Sequence, residues 1–145
     1  MPTEAGMSEA NRRRVDRRAV AAVAAGAVIG GPLRYALSQA LPNSPVPFPW
    51  ATFLVNLAGS FALGGLLVVM FESTWSVRYL REFAGIGLLG SFTTFSTWMV
   101  GLRDQIAASA WAPFGWYLLG SLVFGLMAAA LGATAARLAT TGKRR

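Results

Sequence analysis

The sequence predicts an all-α integral membrane protein of four transmembrane helices, and three observations predict it. Of its 145 residues 54% are hydrophobic and only 13% charged, which is more apolar surface than one small soluble domain can hide. Four stretches of about 20 apolar residues occur, the length needed to cross a hydrocarbon core about 30 Å thick. Polar punctuation and basic clusters separate and flank them.

The first span is expected over Ala19–Leu41. It follows the arginine-rich segment from Asn11 to Arg18 and stops before Pro42-Asn43-Ser44-Pro45, a loop that cannot continue a helix. This stretch exceeds the h-region of a cleaved signal peptide and has no A-x-A-like site after it, so no cleavage is expected. The second span is expected over Trp50–Phe71. The third is expected over Leu80–Leu102, between Arg78-Tyr79-Leu80-Arg81-Glu82 and Arg103-Asp104. The fourth is expected over Pro113–Leu138. Residues 1–18 then form a basic cytoplasmic tail, 19–139 a four-helix membrane domain and 140–145 a basic C-terminal tail. Trp50, Trp75, Trp111 and Trp116 fall near proposed ends, where aromatic belts sit.

With four crossings both termini and the middle loop share one side. Eleven of the thirteen lysines and arginines belong to it: Arg12, Arg13, Arg14, Arg17, Arg18, Arg78, Arg81, Arg137, Lys143, Arg144 and Arg145. Arg34 and Arg103 remain on the other. The positive-inside rule puts the termini in the cytoplasm. The formal charge of +7 is therefore a topology signal, and its confinement to the ends argues against nucleic-acid binding.

Chemistry is bounded by what is missing. Without cysteine or histidine there is no disulfide, thiolate, imidazole ligand or histidine acid/base, and no paired acid and base marks an enzyme. The six acids (Glu4, Glu9, Asp16, Glu72, Glu82, Asp104) lie in tails or near helix ends, so no mid-membrane carboxylate can bind a cation or carry a proton. That absence counts against a small multidrug resistance-type exporter, which needs a glutamate in its first helix. A non-conducting accessory subunit remains an alternative.

The polar residues fall into stripes. Thr52, Asn56 and Ser60 recur every four residues in the second span, and Tyr117 and Ser121 do so in the fourth, so each set shares a face. Ser91, Thr93, Thr94, Ser96 and Thr97 crowd around Phe92, Phe95 and Trp98 in the third. Gly26 with Gly30, Ser60 with Gly64 and Ser121 with Gly125 supply small-residue spacing for close helix packing. Asn56 and the hydroxyls offer donors, while Phe95 and Trp98 offer either ring edges or plain core filling, the better account from spacing alone. The residues by themselves reach a small polar pore suited to an anion.

Gly90-Ser91-Phe92-Thr93-Thr94-Phe95-Ser96-Thr97-Trp98 resembles the third-helix string G-x-x-T-T-F-S-T-F of the CrcB/Fluc fluoride channel family. Gly26 through Tyr35 resembles its first-helix glycine and Arg-Tyr pattern, and Thr52 through Phe61 its T-x-x-x-N-x-x-G-S-F. Tyr117 and Ser121 match a spaced Tyr and Ser in its fourth helix. The resemblance implies a third helix broken near its middle and an antiparallel, dual-topology dimer in a bacterial inner membrane. It implies a fluoride pathway over Asn56, Phe95, Trp98, Thr52, Ser96, Thr97, Tyr117 and Ser121, with Arg34 toward a vestibule. It also implies a structural Na⁺ on the backbone carbonyls of Gly90 and Thr93 from both subunits. Two departures stand out: Trp98 replaces the family's second Phe, and Gly125 lies where a second Ser is frequent. The charge bias adds an expectation of its own, a homologous partner of opposite bias, with the homodimer as alternative.

Overall fold

The computed structural model describes residues 16–72 and 79–141, and among these all regular structure is helical. Arg12, Arg13, Arg14, Glu4, Glu9, Trp75, Arg78, Lys143, Arg144 and Arg145 lie outside the described residues. We number the helices α1 (Arg17–Ala40), α2 (Trp50–Glu72), α3 (Arg81–Leu89), α4 (Gly90–Phe92), α5 (Phe95–Ala107) and α6 (Trp111–Thr141). Four stretches are long and apolar enough to cross a membrane: Arg17–Ala40, Trp50–Phe71, Arg81–Ala107 and Trp111–Thr140.

The span ends differ from expectation for identifiable reasons. α1 begins two residues early because Asp16 caps it, its carboxylate accepting the Arg18 N–H at 2.9 Å. The same carboxylate accepts from Tyr79 Oη at 3.3 Å, tying the start of α1 to the start of the third span. The third span passes Leu102 because Arg103 and Asp104 pair with each other on the exposed side (Nε to Oδ1, 3.0 Å), while Gln105 turns inward and donates to Pro45 O at 2.8 Å. The chain leaves the helix only at Ala108 and Ser109, the latter at φ 54°. α6 starts at Trp111, two residues before Pro113. A first-turn N–H has no helical partner to lose, so a proline there is no barrier. Trp50 and Trp111 are the first residues of α2 and α6.

The third span opens as a π-helix over Arg81–Leu89, wider than an α-helix and uncommon at this length. Its Gly87 and the facing Gly26 let its backbone lie directly on α1: a Cβ at Gly87 would overlap the Val23 carbonyl, and one at Gly26 the Phe83 carbonyl. α1 packs chiefly on α3 and α4, and α2 on α6. In the second pair a Cβ at Gly64 would overlap the Ala129 carbonyl, and one at Gly132 the Phe61 carbonyl. Between helices in lipid there is little hydrophobic driving force, so such backbone approach carries the packing. Large apolar side chains such as Val28, Phe71, Trp116 and Leu126 face outward, as helices solvated by lipid require.

Gly132→Ala or Gly64→Ala should therefore force α2 and α6 apart and destabilise the fold by about 1–3 kcal/mol. Gly115→Ala, where nothing lies within 4 Å of the added Cβ, should be neutral. Thermal denaturation of the three variants in detergent, followed by size-exclusion recovery, measures the contrast.

Candidate functional site

The helical ladder of the third span stops for two residues. Thr93 (φ −78°, ψ 159°) and Thr94 (φ −147°, ψ 119°) are extended between α4 and α5. Two adjacent β-branched residues favour that conformation, and Thr94 restarts the helix as its N-cap: Oγ1 accepts the Thr97 N–H at 3.2 Å. Thr94 Oγ1 also donates to Thr97 Oγ1 at 3.0 Å and lies 3.3 Å from Ser96 Oγ.

The extended Thr94 has no helical acceptor for its N–H, and a buried N–H left unpaired costs about 1–3 kcal/mol; its carbonyl, at the N-cap of α5, keeps a second lone pair beyond the first helical bond. Asn56 of α2 takes both. Its Nδ2 donates to Thr94 O at 3.0 Å and its Oδ1 accepts from Thr94 N at 2.9 Å. Donor against carbonyl and acceptor against N–H fix the orientation of the carboxamide, so one Nδ2–H remains free on a known side. The break can sit this close to α2 because of Gly59, where a Cβ would overlap Thr93 Cγ2.

The carbonyls of Gly90 through Thr93 lose their i+4 donors as a result, and for the first and last of them the reason is plain. Gly90 O would close on Thr94 N in a continuous helix, and Thr93 O on Thr97 N; those donors are held by Asn56 Oδ1 and Thr94 Oγ1 instead. Thr93 O receives only a long contact from Arg34 Nη1, 3.5 Å. Backbone carbonyls are hard oxygen donors that suit a hard cation, and two of them fill part of a shell of six or more. No cluster of three His, Cys, Asp or Glu occurs among the described residues.

The break is open on two sides. On one, a groove of about 410 Å³ is lined by Asn56, Gly90, Thr93, Phe95, Trp98 and Ser121, among others. On the other, a cavity of about 250 Å³ is lined by Arg34, Ser38, Asn43, Thr52, Thr94 and Thr97 with their neighbours. Thr94 belongs to both. The structure thus divides the residues singled out in the sequence: Asn56, Phe95, Trp98 and Ser121 share the groove, whereas Thr52, Thr97 and Arg34 share the cavity. Tyr117 is fully buried one turn from Ser121, with its ring 6.4 Å from Trp98 and 5.3 Å from Phe48. Ser96 is exposed and reaches only Thr94 Oγ1.

Along the groove the hydrogen bonding is incomplete. Trp98 Nε1 and Ser121 Oγ, on residues that line it, are buried without a partner among the described residues, as is Tyr117 Oη, which lies behind the groove wall on the side of Thr52. The Phe95 and Trp98 rings are tilted by 43° with centroids 5.5 Å apart, and Phe95 is 73% exposed, lying at the open side. No acid lines either space.

Sequence reasoning did not assign Thr94, Asn43 or Gln105 to the site. Thr94 was visible only as one of several threonines, although a Thr just before a helical run is an N-cap signal. Asn43 and Gln105 act across the chain, on Thr52 and on Pro45 O, and local spacing carries no trace of such contacts.

A profile of the family described as "CrcB-like protein, Camphor Resistance (CrcB)" matches residues 21–133. The protein named "Fluoride-specific ion channel FluC 3" of Streptomyces avermitilis is 44% identical over 128 residues, 88% of this chain and 63% of that one. The chain therefore spans less than two thirds of that relative's length. "Fluoride-specific ion channel FluC 2" of Nocardia farcinica is 42% identical over 131 residues, 90% of this chain and 94% of that one. "Fluoride-specific ion channel FluC 2" of Streptomyces avermitilis is 43% identical over 89 residues, 61% and 56% of the two chains.

Because its hydroxyl caps α5 while its backbone holds Asn56, Thr94→Val should lower stability by about 1 kcal/mol and leave the Asn56 pair in place. Thr94→Ser should keep the cap. Chemical denaturation in detergent distinguishes them, and a valine variant as stable as the wild type would show that the cap does not hold the restart of the helix.

Proposed function

The chain belongs to the CrcB family, and we propose that it is a subunit of a fluoride-selective channel that lets F⁻ leave the cytoplasm passively. The observation that carries this is the set of buried donors without acceptors, Trp98 Nε1 and Ser121 Oγ at the groove with Tyr117 Oη behind them. Buried polar atoms in folded proteins are nearly always paired, and an anion passing along the groove is the acceptor that Trp98 and Ser121 lack. The free Nδ2–H of Asn56 and the positive ring edges of Phe95 and Trp98 add to the same polarity. Fluoride, the smallest halide, gives up its water only to several strong donors, and a path without carboxylates does not repel it. The names of the relatives support the choice of ion.

The path needs a second subunit. A groove open on one side, with Phe95 at its rim, is half of a conduit, and an antiparallel copy would close it. On this reading the pause at Thr93–Thr94 is the functional break of the third helix. Gly90 and Thr93 of two subunits would together offer four carbonyls to a structural Na⁺, whose charge would hold those dipoles facing one another. Both pathways, over Asn56, Phe95, Trp98, Ser96, Thr97, Tyr117 and Ser121, then run beside that centre, with Arg34 and Thr52 toward a mouth. The charge bias orients this chain with its termini in the cytoplasm of a bacterial inner membrane. A dimer of opposed subunits therefore pairs it with a homologue of reversed bias. That Streptomyces avermitilis carries relatives named FluC 2 and FluC 3 is consistent with such pairing.

Passive export is useful because fluoride enters as neutral HF, dissociates in the less acidic cytoplasm and is trapped. A negative-inside membrane expels the anion through a channel without a coupled ion.

Liposomes reconstituted with the protein and its co-purified partner subunit should release fluoride when a potassium diffusion potential is imposed and retain chloride; release by the chain alone would favour the homodimer. Phe95→Leu, which breaks no hydrogen bond, should slow release about tenfold, equivalent to roughly 1.4 kcal/mol. Release that requires a proton gradient, or that passes chloride equally, contradicts the reading.

Orientation is tested separately, with single cysteines placed in each terminus of the chain expressed without a partner. Labelling from the cytoplasmic side alone is expected; comparable labelling from both sides would restore the homodimer.

A further inference from the structure

The 250 Å³ cavity beside Arg34 can be examined proton by proton. Six of its polar side chains are Arg34, Ser38, Asn43, Thr52, Thr94 and Thr97. The Ser38 hydroxyl donates to Tyr35 O at 2.7 Å, the Thr94 hydroxyl to Thr97 Oγ1 at 3.0 Å and the Thr52 hydroxyl to Asn43 Oδ1 at 3.0 Å. Each hydroxyl has one proton, so these three cannot also donate to a ligand. Thr97 accepts from Thr94 and keeps its own proton. Asn43 accepts from the Thr52 hydroxyl and, at 3.4 Å, from the Thr52 backbone N–H. An N–H can only face an acceptor, so Oδ1 is pinned toward α2, and both Nδ2–H bonds of the exposed Asn43 are without a partner among the described residues at the rim of the cavity. The donors that remain are the Arg34 guanidinium, the Thr97 hydroxyl, the hydroxyl of the exposed Tyr35 and the Asn43 amide.

We infer that Asn43 is a further donor to the anion at this mouth of the pathway, and that Thr52 acts as the residue positioning it rather than as a donor itself. The inference rests on the fluoride-channel reading and assigns a loop residue to it. Pinning Asn43 costs little, since the same loop already caps α2: Pro42 O accepts the Ala51 N–H at 3.1 Å. The arrangement sets two fixed N–H dipoles beside a guanidinium, which together attract an anion and repel a cation.

The test separates donation from capping. Asn43→Asp keeps an oxygen for Thr52 but replaces the donor with a negative charge; Asn43→Ala removes donor and acceptor together. If Asn43 only caps α2, alanine should be the more damaging change in both stability and flux. If it donates, the orders part: alanine is the less stable variant, yet aspartate is the slower channel, by about tenfold against wild type, with alanine in between. A second readout does not depend on folding: raising the concentration of an inert electrolyte should shrink the aspartate deficit by screening its charge, and should leave the alanine variant unchanged. The inference is overturned if aspartate conducts like wild type, or if alanine is the slower of the two. A salt-insensitive aspartate deficit overturns it as well. Wild-type protein that releases no fluoride under the same potential, both alone and with its co-purified partner, would remove the channel reading itself, and this inference with it; wild-type release with unaltered variants would remove this inference alone.

Discussion

Everything around the centre of this protein depends on two hydrogen bonds between the Asn56 carboxamide and the Thr94 backbone. Non-helical backbone at membrane depth is tolerated only where its polar groups are satisfied, and a two-residue gap in the third span would otherwise leave the Thr94 N–H without an acceptor. One amide side chain has both complementary groups at the right separation. A leucine at position 56 would leave the Thr94 N–H bare and its carbonyl with a helical donor alone, and an aspartate would set an oxygen against Thr94 O. Given the pair, Thr94 can cap α5, the carbonyls of Gly90 and Thr93 lose their donors, and the two spaces on either side of the break come into being.

The rest of the fold serves to hold this small centre in place. The glycine contacts of α1 on α3 and of α2 on α6 clamp the third span from two directions by direct backbone approach. Buried Gln105 holds the far end of α5 against the loop at Pro45. Hydrophobic burial contributes little, since the apolar side chains point outward into what must be lipid. The chain is therefore held by shape and by a few directed hydrogen bonds, and these meet at the break.

The sequence showed the four spans clearly because length and hydropathy alone define them. Their ends were less legible: Arg103 and Asp104 resemble a terminus until one sees that they neutralise each other and that Gln105 turns inward. The π-helical opening of the third span had no signal, since Gly85 and Gly87 read as ordinary small residues. Asn56, Phe95, Trp98 and Ser121 were singled out from stripe and motif, and the groove assembles them. Thr52 shares a helical face with Asn56, yet it lines the other space; periodicity gives the face of a helix but not which neighbour stands over it. Asn43 belonged to a segment legible only as a helix-breaking loop.

A helix broken in two brings its own C-terminus and N-terminus to one place, and the two ends carry opposite partial charge. Below the break stand carbonyls without donors at Gly90 and Thr93, which favour a cation. On the other side, the N–H groups of the first turn of α5 carry the positive end of that helix. The side chains follow the same division. The unpaired donors of Trp98, Tyr117 and Ser121 come from α5 and α6, and Arg34 approaches Thr93 O only at 3.5 Å, leaving a lone pair of that carbonyl uncommitted. Opposite partial charges on the two sides of the break thus need no buried carboxylate and no lysine at mid-membrane. They follow from interrupting one helix for two residues and satisfying the interruption from a neighbour.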